Sequence, residues 1–336
     1  VRRHLRFHVT SYTPLAAATQ GSLPGGFYRL YPDGASKEWG RMEAVITTDE
    51  LSKRFGRTVA LDRLTLEVGR GEVFGFLGPN GAGKTTTVRL LLGLLKPSSG
   101  GARVLGLDAW GDPTRLHARL AYVPGEFAVW PQLTGGEMLE LLGSLHGSVD
   151  LAYRDELCER FDFDPTKRGR SYSKGNRQKI ALIAALMTRA ELFVFDEPTA
   201  GLDPLMEATF RACVGEARHR GQTVFLSSHI LAEVEALCDR IGILRHGRLV
   251  DLGSLDELRH LETHTVEIRF AGDLPDLSTV PGASHVAWTG RSVRLEVLGS
   301  TAPLLQAIAP YDAVSIESRE PTLEEVFLSH YGPDGT

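Results

Sequence analysis

Residues 74–95 read FGFLGPNGAGKTTTVRLLLGLL, and this stretch decides the fold. Val73 to Leu77 is a short apolar run, the pattern of a strand buried on both faces of a parallel sheet. The next residues, Gly78-Pro79-Asn80-Gly81-Ala82-Gly83-Lys84-Thr85, fit the pattern G-x-x-x-x-G-K-[ST], and Thr86 follows. Glycines let such a loop adopt positive φ and turn its backbone N–H groups toward an anion. A helix starting near Lys84 would aim its positive end at the same point. Val88, Leu91, Leu92 and Leu95 are spaced to pack that helix on a sheet. The arrangement implies a phosphate cradle in which Lys84 serves the β- and γ-phosphates and the Thr85 hydroxyl ligates Mg²⁺.

Two later segments repeat the strand-then-loop design. In AELFVFDEPTAGLDP, Leu192 to Phe195 reads as a buried strand ending in Asp196 and Glu197. Adjacent carboxylates at the end of a buried strand are costly unless a cation compensates. Asp196 suits Mg²⁺ held through water, and Glu197 suits a general base for an attacking water. In QTVFLSSHILAEVEALCDRIGIL, Thr223 to Leu226 reads as a third strand, with His229 at its carboxyl end. Ligands of open α/β sheets gather there. In SYSKGNRQKIALIAALM, a helix is expected over Gln178 to Met187, with Ser173 a candidate N-cap. Locally, a capped helix and a second anion site look alike.

Composition narrows the class. The 336 residues suffice for one large domain and one small one. A net charge of −5 gives no reason to expect nucleic acid as a partner. No stretch has the apolar length needed to span a bilayer, so a membrane role would go through another chain. Cys158, Cys213 and Cys238 are scattered without metal spacing and read as reduced thiols. Residues 1–41, with a basic start and a Pro/Gly-rich middle, lack the core of a signal peptide. Regular alternation begins after Met42. Met42 is expected to be the natural start, with the preceding extension disordered or untranslated.

In their order along the chain, these motifs resemble the nucleotide-binding subunit of an ABC transporter over residues 42–330. Gly78–Thr86 resembles the Walker A loop, Leu192–Asp196 resembles Walker B, and Glu197 resembles the catalytic carboxylate. Tyr172-Ser173-Lys174-Gly175-Asn176 stands where the family has its LSGGQ signature. Ala200–Asp203 resembles the D-loop, with Asp203 its carboxylate, and His229 resembles the switch histidine. Phe55 stands where the family has an aromatic residue stacked on adenine, although alone it would read as core. The resemblance implies an α/β P-loop NTPase cassette over residues 42–262: a mixed-sheet core carrying a helical subdomain at 126–170. A small C-terminal α/β domain would follow at 263–336. It also implies ATP and Mg²⁺, and a head-to-tail homodimer with each ATP between Walker A of one chain and the signature of the other. A separate multi-span permease, docked on the helical subdomain, would place the protein peripherally on the cytoplasmic side of the cell membrane.

Two departures stand out. Lys174 replaces a signature glycine, and either adds a cation near the phosphate or faces solvent. After Tyr122–Pro124, Gly125 stands where the family has its Q-loop glutamine. Glycine cannot ligate Mg²⁺, and Glu126 is the expected substitute, since carboxylates suit this hard cation. In the tail, THTVEIRF and SVRLEVLG alternate like half-buried strands, and a helix, a strand and a last amphipathic helix follow. Pro321 to Phe327 resembles the closing segment of drug exporters of the ABC-2, daunorubicin-resistance-like type; Leu323, Val326 and Phe327 also read simply as a core stripe. A soluble ABC ATPase acting on ribosomes or DNA would usually carry a second cassette or a long coiled coil, and an importer subunit a barrel-like tail.

Overall fold

The structure is a computed structural model, and it describes residues 43–147, 149–260, 263–298, 300–319, 322, 324–325 and 327. The segment before Met42, Met42 itself, Leu323 and Val326 lie outside the described residues.

In chain order the elements are β1 (Ala44–Phe55), β2 (Thr58–Gly69), β3 (Val73–Leu77), α1 (Lys84–Leu91), β4 (Ser99–Val104), β5 (Leu107–Asp108), α2 (Pro113–His117) and β6 (Leu120–Val123). Then come α3 (Gly135–His146), α4 (Leu151–Arg160), α5 (Lys174–Leu186), β7 (Leu192–Asp196), α6 (Pro204–His219), β8 (Thr223–Ser228), α7 (Leu231–Leu237), β9 (Arg240–Arg245) and β10 (Arg248–Ser254). The last are α8 (Leu255–His260), β11 (Thr263–Phe270), β12 (Ala283–Thr289), β13 (Ser292–Leu298), α9 (Ala302–Ile308) and β14 (Ala313–Arg319).

The central sheet has the order β10-β9-β3-β8-β7-β6. β9, β3, β8, β7 and β6 run parallel, and β10 joins antiparallel at the edge. Its strands read as unbroken apolar runs because both faces are covered. Alternate residues feed two cores. Val73, Leu77, Phe193, Phe195, Val224 and Leu226 face one cluster with helices α3 to α6. Phe74, Phe76, Leu192, Val194 and Phe225 face the other, with α1 and the antiparallel sheet β2-β1-β4-β5. This layering puts the carboxyl ends of β3, β7 and β8 side by side, in register from Leu77 to Ser228 and from Asp196 to Ser227.

The third sheet, β12-β13-β11-β14, is antiparallel and builds its own core from residues 266–308. Phe327 packs instead against the larger core of the central sheet.

Several sequence expectations need revision. Helix α1 ends at Leu91, with Leu92 as its C-cap, so Leu95 packs from the following turn rather than from the helix. Helix α5 begins at Lys174, not Gln178, because the Ser173 side chain caps the amide of Asn176 and lets the helix start a turn earlier. Strand β12 escaped notice because ASHVAWT is mostly exposed and its alternation is broken by a bulge.

Candidate functional site

The loop Gly78–Gly83 leaves β3 and enters α1. Gly83 is the N-cap at φ 114°, a conformation that favours glycine, and no side chain caps the helix. The first amides of α1 are thus left for an outside acceptor, which is the chemistry of an anion site. The Lys84 side chain is 5 % exposed, and its Nζ donates to the carbonyl of Gly78 (2.7 Å) and lies 3.3 Å from that of Pro79. Thr85 is exposed beside it, Thr86 is half-buried, and the buried Thr87 hydroxyl donates back to the Gly83 carbonyl. Asn80 and Gly81 form the loop's outer part, and Ala82 is buried beneath it.

Three strand ends converge here. Glu197, the residue after β7, has φ 51°. That left-handed conformation costs a non-glycine residue on the order of 1 kcal/mol or more, and such strain clusters at functional sites. Its backbone N–H donates to the Ser227 carbonyl at 2.9 Å, which aims the side chain. Glu197 Oε1 lies 3.3 Å from Lys84 Nζ and 3.1 Å from His229 Nδ1. One carboxylate oxygen therefore gathers the loop lysine and the histidine beyond β8. The Asp196 carboxylate is buried and accepts a hydrogen bond from the Ser227 hydroxyl. Burial, with the Asp196 charge adding to it, pushes the nearby Tyr122 phenol up to about 12 and keeps it neutral. The Gly78 N–H reaches the Ser228 carbonyl at 3.3 Å, tying the loop to β8.

Gly125 lies against this cluster. A Cβ there would stand 3.2 Å from the Asp196 carbonyl and 3.8 Å from Glu197 Cβ, so a longer side chain would press on the end of β7. Glu126 is exposed next to it. Phe55 ends β1 with its ring half exposed and the Lys53 ammonium 5.0 Å over it. The β1–β2 hairpin carries Phe55 and also brings the Ala60 carbonyl against Gly83, where a Cβ would be only 2.6 Å away.

A second group forms where α5 meets the segment after Glu197. Ser173 caps α5, with its Oγ accepting from the Asn176 N–H at 3.3 Å. Gly175 must be bare, because a Cβ would lie 2.7 Å from the Gly201 carbonyl. The exposed Lys174 runs its methylenes alongside Gly201. Asp203 caps α6, accepting from the amides of Leu205 and Met206 at 3.0 Å. Tyr172, expected to contact nucleotide, packs its ring inward. Its side chain is 3 % exposed, with the ring on Phe163 and the hydroxyl 2.7 Å from the Asp164 carbonyl and 2.9 Å from that of Lys167. The ring and hydroxyl anchor the segment from inside.

Sequence reasoning missed Ser227, Ser228, Gln178 and Glu233. Gln178 is buried and donates to the Pro198 carbonyl at 2.9 Å, joining α5 to the segment after Glu197. The signal for the serines was a polar pair closing an otherwise apolar strand just before His229.

Comparison with known proteins follows the same lines. A family model described as "ABC transporter" matches residues 61–200. The daunorubicin resistance ATP-binding protein DrrA3 of Streptomyces coeruleorubidus is 38% identical over 87% of this chain and 97% of its own. The bacitracin transport ATP-binding protein BcrA of Enterococcus faecalis is 34% identical over 65% of this chain and 71% of its own. A solved structure of the ATP-binding subunit of an ABC transporter superposes with a TM-score of 0.60 at 31% identity, covering 64% of this chain and 92% of that one. A dimeric cassette in a post-hydrolysis state, bound to ADP and Pi, shares the fold at 21% identity and a TM-score of 0.57. Similarity along nearly the whole of a 38%-identical relative, with the same cassette fold beneath it, makes the chain a member of the ATP-binding subunits of ABC transporters.

Proposed function

We propose that the chain is the ATP-hydrolysing subunit of an ABC exporter and drives a separate multi-span permease from the cytoplasmic face of a membrane. The observation that carries this reading is the meeting of Lys84 and His229 on one oxygen of Glu197, at the ends of three adjacent parallel strands. The open amides of α1 and Lys84 bind the phosphates. Lys84 then exchanges Glu197 for the γ-phosphate and frees that carboxylate to take a proton from the attacking water, which His229 helps to orient. Phe55 offers an exposed face for adenine. Thr85 and Asp196 would hold Mg²⁺, which neutralises phosphate charge when bound. Asp196 fits that role as a buried carboxylate, hydrogen-bonded among the described residues by the Ser227 hydroxyl, whose charge a cation would offset. Glu126 is the substitute for the absent glutamine, and unchanged turnover and Mg²⁺ dependence in Glu126→Ala would refute that assignment.

The cassette of residues 42–262 works as a head-to-tail homodimer. Ser173, Gly175 and the start of α5 complete the partner's γ-phosphate site, while Asp203 shapes the neighbouring loop. Tyr172 contributes as an anchor. The region beyond residue 263 is a separate unit that supports the dimer. Among the described residues no helix is long and apolar enough to cross a membrane. A groove of about 450 Å³, lined by Leu94, Phe127, Leu142 and Leu145 among others, lies beside the helical subdomain and offers apolar contacts to side chains of a permease helix. The name of the relative in daunorubicin resistance supports export over import.

The test is ATP-dependent dimerisation of Glu197→Gln by size-exclusion chromatography with light scattering. A stable dimer with Mg-ATP and a monomer without it supports the reading. A chain that stays monomeric with saturating nucleotide refutes the sandwich.

A further inference from the structure

Helix α7 carries a carboxyl where an apolar residue would be expected. Glu233 is 8 % exposed and precedes Val234, which is wholly buried in the main core. Its Oε2 accepts from the Ser228 hydroxyl at 2.5 Å, while its Oε1 is buried without a hydrogen-bond partner. Burial raises its pKa. The Ser228 and Thr199 hydroxyls and His229 offset part of that rise, and Glu207 of α6 adds to it. A half-satisfied buried carboxyl is expensive, and an apolar side chain of similar volume is commonly tolerated or stabilising in its place. Positions that break a local rule at a cost to stability tend to serve function.

What the carboxyl holds suggests that function. Ser228 ends β8. Its hydroxyl donates to Glu233 and accepts the Ile230 N–H at 3.0 Å, closing the turn that carries His229. Its carbonyl receives the Gly78 N–H of the phosphate loop. A single buried side chain thus ties α7 to Ser228, the residue that closes the His229 turn and whose backbone carbonyl meets the phosphate loop.

We infer that Glu233 is a positioning residue for hydrolysis: through Ser228 it fixes the turn that sets His229 against Glu197. The inference rests on Glu197 and His229 being the hydrolytic pair. The full chain is compared with Glu233→Met, Glu233→Gln and Ser228→Ala for Tm, for KM of Mg-ATP and for kcat. The Met side chain matches the volume without the hydrogen bond. Its Tm is expected to equal or exceed that of the wild type, KM to stay within about twofold, and kcat to fall at least tenfold, on the order of 1.4 kcal/mol at the barrier. Gln, which still accepts from Ser228, is expected to restore kcat to within about threefold. Ser228→Ala, which barely changes volume, is expected to lose as much as Met, and the double variant little more than either alone.

Unchanged kcat in Glu233→Met, beside an active wild type and an inactive Glu197→Gln, overturns this inference alone. A Tm that falls in step with kcat in both Glu233→Met and Ser228→Ala makes the role structural and overturns it as well. An inactive wild type overturns both this inference and the hydrolytic reading beneath it.

Discussion

Gly175→Ala separates two reasons for a glycine at the start of α5. In the partner-approach reading, glycine is needed so that the backbone can come close to nucleotide held by a second chain. The structure supplies an internal reason: the new Cβ would meet the Gly201 carbonyl at 2.7 Å, against an ordinary contact of 3.4 Å or more. The gap must open by about 0.7 Å, and both sides are backbone, so neither can rotate away. Overpacking of this kind costs about 1–3 kcal/mol. The helix-propensity gain of alanine over glycine, at most about 1 kcal/mol in a helix interior, is smaller in a first turn and does not cancel it. The net loss of about 1–2 kcal/mol should lower Tm by roughly 1–3 °C for a chain of this size. Opening the gap also moves the first turn of α5, which Ser173 caps, away from Gly201. The ATP concentration needed to dimerise the Glu197→Gln background should therefore rise by about tenfold. Thermal unfolding and light scattering on the same samples read both effects. Weakened dimerisation with an unchanged Tm would refute the internal reason and leave only partner approach.

Two further outcomes follow from buried polar groups. Tyr172→Phe removes the donor that serves the carbonyls of Asp164 and Lys167, and should cost about 1–3 kcal/mol in denaturant unfolding; a loss below about 0.5 kcal/mol would mean that water replaces the hydroxyl freely. For Glu233, burial holds the folded-state pKa above the ordinary value of 4.5, so its favourable contribution is complete below that value and is lost as pH rises through the folded pKa. The Tm of Glu233→Met relative to wild type should therefore be higher at pH 8 than at pH 5, and an equal difference at both would contradict the assignment.

The cradle, the acidic strand end and His229 were legible because each is a local pattern: an apolar run followed by residues of special conformation or charge. Continuous apolar runs likewise gave away β3, β7 and β8, in which polar residues stand only at the ends. What was not legible depends on contacts between distant segments. Nothing local in Tyr172 says whether its ring turns inward onto Phe163, and nothing local in Gly125 reveals that the end of β7 lies against it. Nothing local in Glu233 marks it as buried, since the face of α7 that packs on the sheet is set by the rest of the fold. The start of α5 was misplaced by a turn because Lys-Gly-Asn is a poor helix sequence taken alone. The Ser173 cap and the packing of Gly175 on Gly201 hold it helical.

The most direct test of the central claim is phosphate release from Mg-ATP by the purified chain, measured beside Glu197→Gln at saturating nucleotide. The account predicts steady turnover by the wild type, and a loss of at least a hundredfold in the variant with nucleotide binding retained, since only the base has been removed. Equal turnover by the two proteins would contradict it, because the carboxylate that gathers Lys84 and His229 would then have no part in the chemistry.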